Sequence, residues 1–162
     1  MTLQRFDPLH PSLAAPHRRQ VRSQYAALCY RMVKGRCQVL LVTTRGKGRW
    51  IVPRGWPMDG FTPAETALQE AYEEAGVIGR AHPNCLGVYT YMKSGVPCVV
   101  AVYAVAVKRL AREYRETGER RRQWCAIPQA IQLVDEPELR SILASFRPDA
   151  LPRPHHPRHR RS

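Results

Sequence analysis

Three glutamates, Glu70, Glu73 and Glu74, lie close together near the middle of the sequence, with no Lys or Arg between them. In a helix these positions are spaced i, i+3 and i+4, so the three carboxylates become neighbours on one side. Like charges at this spacing destabilise a helix by roughly 0.2–0.5 kcal/mol per pair. A solvated acidic face is the ordinary explanation for such a run. The alternative is a cation site, because Mg²⁺ prefers carboxylates together with the phosphates of a substrate.

The sequence around these glutamates carries helix signals at both ends. Thr62 suits the N-cap, Pro63 the first helical position, and Glu65 the third position, where it closes a capping box. Gly76 follows the last periodic residue and suits a left-handed C-cap. Small or apolar side chains recur at helical spacing between these signals, at Ala64, Ala67, Leu68, Ala71 and Ala75. The pattern predicts a helix over 63–75 that packs closely on one side and presents its acids on the other.

A loop rich in Gly and Pro precedes this helix, and the whole stretch resembles the Nudix box, G-x5-E-x7-R-E-U-x-E-E-x-G-U, in which U is aliphatic. Gly55 matches the first glycine, and the later positions of the pattern are matched by Glu70, Glu73, Glu74, Gly76 and Val77. Two positions depart from it, because Phe61 stands in place of the first Glu and Gln69 in place of the Arg. In the family that Arg helps to orient the helix glutamates and the first Glu supports the metal shell. The departures therefore bear on catalytic strength more than on the fold.

The resemblance implies a fold and a metal site. The fold is an α/β/α sandwich with a mixed β-sheet and the box helix beside it. The metal is Mg²⁺, or Mn²⁺, held by the helix carboxylates and by the backbone carbonyl of Gly55. Glu70 and Glu74 are expected as principal ligands, with Glu73 sharing that role or orienting water. Residues 50–58, 122–124 and 133–139 are also similar to the diphosphoinositol-polyphosphate phosphohydrolase-like branch of the family, especially its bacterial members.

Other parts of the chain offer a general base and phosphate-binding cations. In the family the base is a box glutamate or an acid from a distant loop, and here the charged connection over 109–122 offers Glu116 and Glu119. We favour Glu119, although solvated loop acids are the ordinary explanation for either residue. Candidate cations for the substrate phosphates are Arg45, Arg49, Arg54 and Lys93. Arg54 is the strongest of these because the motif fixes its place, and Arg can clamp phosphate oxygens in a bidentate manner. A loop Lys or Arg is more often surface charge.

The 162 residues predict one domain, and the formal net charge is +13. Residues 1–22 and 147–162 are basic and rich in Pro and His, and we expect them to be flexible tails around a Nudix domain over 23–146. The domain itself is also basic. This excess fits an anionic partner, whether a phosphorylated small-molecule substrate, RNA or an acidic surface.

The five cysteines are scattered without a C-x-x-C pair, and we expect reduced thiols in a cytoplasmic protein. The N-terminus lacks an apolar signal-peptide core. The longest apolar run, 98–107, is too short to cross a bilayer, so no membrane association is expected. Strands are predicted over 23–32, 37–44, 50–52, 86–92, 97–107 and 123–127, and further helices over 128–133 and 136–146. This order of elements is typical of an α/β sandwich.

Two functions from different classes follow. The first is a Mg²⁺-dependent Nudix pyrophosphohydrolase that cleaves a phosphoanhydride bond in a diphosphoinositol polyphosphate or a dinucleoside polyphosphate. A nucleoside diphosphate linked to another group, or a 5′-triphosphorylated RNA end, is also open. The second, motivated by Phe61 and Gln69, is a Nudix-fold binding protein with weak or no turnover that holds RNA or a phosphorylated ligand. A large gain in rate from Phe61→Glu with Gln69→Arg would indicate a decayed site.

Overall fold

The computed structural model describes residues 21–152, in which one helix interrupts the series of strands and two more follow it. The strands are β1 (Arg22–Val33), β2 (Arg36–Thr43), β3 (Trp50–Ile51), β4 (Arg54–Gly55), β5 (Val77–Lys93), β6 (Val96–Leu110) and β7 (Arg122–Ala126). The helices are α1 (Pro63–Ala75), α2 (Ile127–Leu133) and α3 (Pro137–Ser145), followed by a short 3₁₀ helix (Pro148–Ala150).

All seven strands belong to one mixed sheet. Its main path runs β3-β2-β1-β6-β5, while β4 pairs with β1 and β7 pairs with β2. The central pair, β1 and β6, is parallel, and the other pairs are antiparallel. The predicted mixed sheet is confirmed.

Successive side chains of a strand point to opposite faces of a sheet, and β1 shows how this divides the core. Ala26 and Leu28 belong to a buried cluster with α2 and α3. Ala27 and Cys29 belong to a second buried cluster, formed with α1. Strands buried on both faces read as continuous apolar runs rather than as alternating ones. The sheet therefore lies between α1 on one side and α2 with α3 on the other, which confirms the α/β/α sandwich.

The boundaries of α1 match the predicted ones. The Thr62 side chain accepts a hydrogen bond from the backbone N–H of Glu65 at 3.2 Å, and the Glu65 carboxylate accepts one from the N–H of Thr62 at 3.0 Å. Gly76 ends the helix with a φ of 68°. A Cβ atom at Gly76 would also crowd the Tyr114 ring, so the position requires glycine for space as well as for its left-handed backbone.

The start of β5 differs from the prediction. The strand begins at Val77, directly after α1, rather than at residue 86. Its pairing with β6 shifts register between Ile78 and Gly79 and again around residues 81–87. At Gly79 a Cβ would overlap the backbone carbonyl of Ala106, so the two chains approach too closely for a side chain. These bulges hide the two-residue period from which a strand is recognised.

The turn between β5 and β6 is the predicted one at 93–95, with positive φ at Ser94 (49°) and Gly95 (74°). β6 extends to Leu110, past its predicted end at 107. The five cysteines are free thiols, as expected. No helix within residues 21–152 is long and apolar enough to span a membrane.

The predicted tails lie mostly outside the described residues. Residues 1–20 and 153–162 are not among them, so the expectation of flexibility there stays a prediction. Where the chain is described, residues after 146 form the 3₁₀ helix, and Leu151 packs against the cluster that includes α2 and α3. The domain therefore extends past the predicted boundary at residue 146.

The capping box gives a stability prediction. Thr62→Ala should lower the free energy of unfolding by roughly 1 kcal/mol, because one N-terminal N–H of α1 loses its acceptor. Thr62→Ser keeps the hydroxyl and should leave stability nearly unchanged. Urea denaturation of the three proteins measures both effects. Equal midpoints for Thr62→Ala and the parent protein would show that the cap contributes nothing.

Candidate active site

A cleft of about 940 Å³ opens beside α1, where β1, β4 and the β5–β6 hairpin come together. Every residue that the sequence analysis selected for the site lines it: Arg45, Arg49, Arg54, Gly55, Glu70, Glu73, Glu74, Lys93 and Glu119. Phe61 does not line the cleft, and its side chain is exposed. The fold thus brings together residues from five separate parts of the sequence.

Glu70, Glu73 and Glu74 of α1 form one wall of the cleft, called here the acidic wall. This wall depends on close packing between α1 and β4. A Cβ atom added at Gly55 would overlap the Glu70 carboxylate, so this contact requires glycine. Glu74 is held there too, because its Oε2 accepts a hydrogen bond from the backbone N–H of Arg54 at 3.4 Å. Ala67 and Ala71 of α1 are fully buried on the side of the helix that packs on the sheet. Their small side chains let the helix backbone approach the sheet.

Burial raises the pKa values of two carboxylates in this wall. Burial raises the pKa of Glu74 to about 8, although the nearby Arg120 guanidinium acts in the opposite direction. Burial also raises the pKa of Glu70 to about 7, helped by the negative charges of Glu73 and Glu116. Crowded carboxylates in a poorly solvated place hold protons near neutral pH. A cation bound among them would displace those protons and remove the repulsion.

Two arginines of the β6–β7 loop (residues 111–121) pair with the helix acids. Arg120 lies 3.4 Å from Glu74 Oε1 and 3.1 Å from Glu116 Oε2. Arg115 lies 3.3 Å from Glu73 Oε1, which also accepts a hydrogen bond from the Gln69 side chain at 3.2 Å. Neither arginine was assigned to the acids from the sequence, because nothing local marks a loop residue that long-range contacts bring to the site.

The donors of the acidic wall suit Mg²⁺ or Mn²⁺. Carboxylates and a backbone carbonyl are hard oxygen ligands, and the Gly55 position leaves room for Glu70 against the backbone. As the side chains stand, no group of three or more His, Cys, Asp or Glu residues within 21–152 is gathered as a metal site. The carboxylates of Glu73 and Glu74 face arginines instead. The oxygen donors fit Mg²⁺ or Mn²⁺. A bound ion would replace the ion pairs of Glu73 and Glu74 with arginine.

β4 divides the cleft into two sides. Arg54 pairs with Ala26 and Gly55 pairs with Tyr25 in β1, so the two β4 residues face opposite sides of the sheet. Gly55 faces α1 and the acids. The Arg54 side chain lies on the side of α2 and α3. The cleft extends over the end of the sheet, so residues from both faces of the sheet line it.

Arg54 is held by aromatic residues on its side of the sheet. Its guanidinium carbon lies 3.7 Å from the centre of the Tyr91 ring, and its Nη1 donates to the Tyr89 hydroxyl at 3.1 Å. The Glu136 carboxylate lies 4.0 Å away. Tyr91 is itself fixed, because its hydroxyl donates to Gln24 Oε1 at 2.6 Å. These contacts hold the guanidinium in place while its other N–H donors stay available.

Cations surround the mouth of the cleft. Arg45, Lys47 and Arg49 come from the β2–β3 loop, and Lys93 lies on the opposite hairpin, 5.5 Å from the centre of the exposed Trp56 ring. Arg45 is also near the β6–β7 loop, at 3.3 Å from Glu119 and 3.5 Å from Glu116.

The structure distinguishes the two candidate bases. Glu116 is largely buried, with 13% of its side chain exposed, and it shares Arg120 with Glu74. Glu119, the residue favoured from the sequence, is 48% exposed and contacts Arg45 at the rim. Glu116 is therefore the loop acid closer to the box glutamates. The sequence favoured Glu119, but a loop without a regular period carries no signal of which acid lies nearer the glutamates.

Comparison with known proteins agrees with this architecture. Residues 22–161 match the NUDIX domain, so the chain belongs to the Nudix family. It is 28% identical over 123 residues to Nudix hydrolase 13, mitochondrial, of Arabidopsis thaliana, covering 70% of this chain but only 61% of that protein. It is 30% identical over 115 residues to the human diphosphoinositol polyphosphate phosphohydrolase 3-alpha, covering 70% and 69% of the two chains.

A solved structure shares the fold. The crystal structure of a C. elegans Ap4A hydrolase superposes with a TM-score of 0.63 at 22% identity, covering 76% of this chain and 94% of that one. At this identity the likeness shows the fold alone. The two curated relatives are both named as hydrolases, and this chain shares their family.

The raised pKa values predict how stability depends on pH. Between the ordinary glutamate value of 4.5 and about 8, the folded protein holds protons that the unfolded chain releases. The free energy of unfolding contributed by Glu70 and Glu74 therefore falls as pH rises through this window. In EDTA, the parent protein should lose more stability between pH 5 and pH 8 than Glu70→Gln/Glu74→Gln does. Urea denaturation measures the free energy of unfolding at each pH. An equal change with pH in both proteins would contradict the raised pKa values of Glu70 and Glu74.

Proposed function

We propose that the protein is a Mg²⁺-dependent pyrophosphohydrolase that cleaves a phosphoanhydride bond in a strongly anionic small molecule. The observation that carries this proposal is the division of a single cleft into an acidic wall and a cationic rim. A diphosphate needs both features, because cations must neutralise its charge before water can attack it. The carboxylates hold the cation, and the rim holds the rest of the substrate.

Glu70, Glu73 and Glu74, with the Gly55 carbonyl, are the proposed metal ligands. Mg²⁺, or Mn²⁺ in its place, supplies charge neutralisation and polarises the phosphoryl oxygens. Glu70 and Glu74 are the principal ligands in this proposal, because both lie against β4, where the carbonyl is. Glu73 lies further out, among Gln69 and Arg115.

The rim cations are proposed to bind the phosphates that are not cleaved. Arg45 and Arg49 approach from the β2–β3 loop and Lys93 from the β5–β6 hairpin, so they face a ligand from two directions. Arg54 is the most rigid of the group, since Tyr91 and Tyr89 fix its guanidinium. A fixed guanidinium presents its fork to phosphate oxygens at low entropic cost.

The relatives indicate the substrate class. The human relative is named for diphosphoinositol polyphosphates, and the worm structure is that of an Ap4A hydrolase. Both names describe molecules with several phosphates. A rim that combines Arg45, Lys47, Arg49 and Lys93 suits such a ligand. We therefore propose a diphosphoinositol polyphosphate or a dinucleoside polyphosphate as the substrate.

A binding protein with weak or no turnover is the alternative. The pairing of Glu73 and Glu74 with arginines favours it, because a metal must compete with these contacts. Exposed cations that do not line the cleft, including Arg80, Lys108 and Arg112, would let such a protein also hold RNA. Binding of RNA through many phosphates would weaken steeply with added salt.

The cellular compartment is also a proposal. The five cysteines are free, and three of them are buried. Unpaired thiols are typical of a reducing compartment, which supports a cytoplasmic protein.

A substrate panel tests the proposed function. We expect Mg²⁺-dependent release of phosphate or nucleotide from a diphosphoinositol polyphosphate or from Ap4A, measured by chromatography. Glu70→Gln/Glu74→Gln should lower kcat/KM at least ~100-fold, because the metal loses two ligands. Glu138→Gln, an exposed acid on α3, is the matched control and should behave as the parent protein. Retained ligand binding without any release from the panel would favour the binding protein.

We propose Glu116 rather than Glu119 as the general base, because it is the loop acid closer to the box glutamates. Glu116→Gln should lower kcat roughly 100-fold or more, the usual contribution of a positioned base. Glu119→Gln should change kcat by less than about tenfold, because this side chain lies at the exposed rim. Steady-state kinetics at saturating Mg²⁺ separate the two. The reverse ranking would restore Glu119 as the base.

A further inference from the structure

The acidic wall needs a counterion that α1 does not supply. The helix carries Glu70, Glu73 and Glu74, and no basic residue lies in its last turn. Gln69, one turn before Glu73, is neutral and donates a single hydrogen bond to it. The β6–β7 loop adds a fourth acid, Glu116, beside the same wall. Four carboxylates in a partly buried place repel one another strongly unless a cation lies among them.

Arg120 is the cation at the centre of this group. Its side chain is only 9% exposed. The guanidinium reaches Glu74 through Nη2 and Glu116 through Nε, and its Nη1 donates to the backbone carbonyl of Thr43 at 3.0 Å. All three nitrogens are therefore engaged. Each contact goes to a different part of the chain, so the planar fork fixes the three parts relative to one another.

The backbone of the loop is anchored on both sides of Arg120. The Glu116 N–H donates to the Glu73 carbonyl at 3.0 Å, which ties the loop to the end of α1. The Arg121 N–H donates to the Thr43 hydroxyl at 3.0 Å, which ties it to the end of β2. Arg120 therefore projects from a fixed backbone, and its position sets where Glu74 and Glu116 can lie.

Arg115 is a poorer candidate for this role. Its side chain is 73% exposed, and its acid partner is Glu73, the outermost of the helix acids. Exposed ion pairs contribute little because water and salt screen them. Within residues 21–152, the ion-pair partner of the buried Glu74 is Arg120.

We propose that Arg120 is a positioning residue that supplies, from the β6–β7 loop, the positive charge that Gln69 does not supply from the helix. It holds Glu74 and Glu116 in their working positions and offsets the repulsion within the acidic wall. Its effect on turnover rests on the proposed hydrolase function. Its effect on the stability of the acidic wall does not.

The first test is stability with and without metal. In EDTA, Arg120→Gln should lower the melting temperature, because the acids lose their counterion. Added Mg²⁺ should raise the melting temperature of Arg120→Gln more than that of the parent protein, since the ion replaces the lost charge. Arg121→Gln, which changes the neighbouring arginine outside the cleft lining, is the matched control. A loss that Mg²⁺ does not repair would show that Arg120 acts only through packing and the Thr43 hydrogen bond.

The second test moves the charge to the helix. At saturating Mg²⁺ and substrate, Arg120→Gln should lower kcat roughly 10- to 100-fold, the size expected when a catalytic group is misplaced by about 1 Å. Gln69→Arg added to Arg120→Gln should recover a large part of that loss, and added to the parent protein should gain little. If an arginine at another position restores kcat, then Arg120 acts through its positive charge beside the acids and not through packing.

The outcomes separate this inference from the proposed function. A kcat for Arg120→Gln within about threefold of the parent, beside an inactive Glu70→Gln/Glu74→Gln, overturns the inference and keeps the hydrolase. A parent protein inactive on the whole panel overturns the hydrolase, and the melting temperatures then decide the role of Arg120 alone. If Arg120→Gln does not fold, restoration of folding by Gln69→Arg is the readout, and failure to restore it overturns the inference.

Discussion

The crowding of carboxylates at the contact between α1 and β4 is the constraint on which the rest of the structure depends. Glu70 and Glu74 lie against a strand backbone, where Gly55 leaves room for Glu70, the Arg54 N–H binds Glu74, and alanines let the helix approach. Such an arrangement is unfavourable for the folded chain by itself. It persists because arginines from the β6–β7 loop offset it and because the surrounding sheet and helix ends fix the backbone.

The two faces of the sheet serve different parts of the cleft. The α1 face carries the acids, while the opposite face carries Arg54 among Tyr89, Tyr91 and Glu136. β4 joins them, since its two residues point to opposite faces. A substrate that spans the end of the sheet would meet the proposed metal site on one side and a fixed guanidinium on the other. The same short strand therefore sets the distance between the two.

Local signals allowed α1 to be predicted to the residue, because its capping box and its C-terminal glycine are encoded within the helix itself. The sandwich with a mixed sheet was also predicted, from the order of elements and the family resemblance, whereas the order of the strands was not. The start of β5 could not be read, because bulges and close backbone contacts break its period. Glu116 was named from the sequence as a candidate base, but nothing in its charged loop indicated that Arg120 would pair with it and with Glu74. Hydrogen bonds to α1 and β2, distant in sequence, give them their place.

The most direct test of the account is an anomalous difference map from crystals of the full chain grown with Mn²⁺. We predict a peak bounded by the Glu70 and Glu74 carboxylates and the Gly55 carbonyl, with the Glu74–Arg120 contact lengthened. A map with no peak at this wall, or with manganese bound only by histidines of the C-terminal residues, would contradict it.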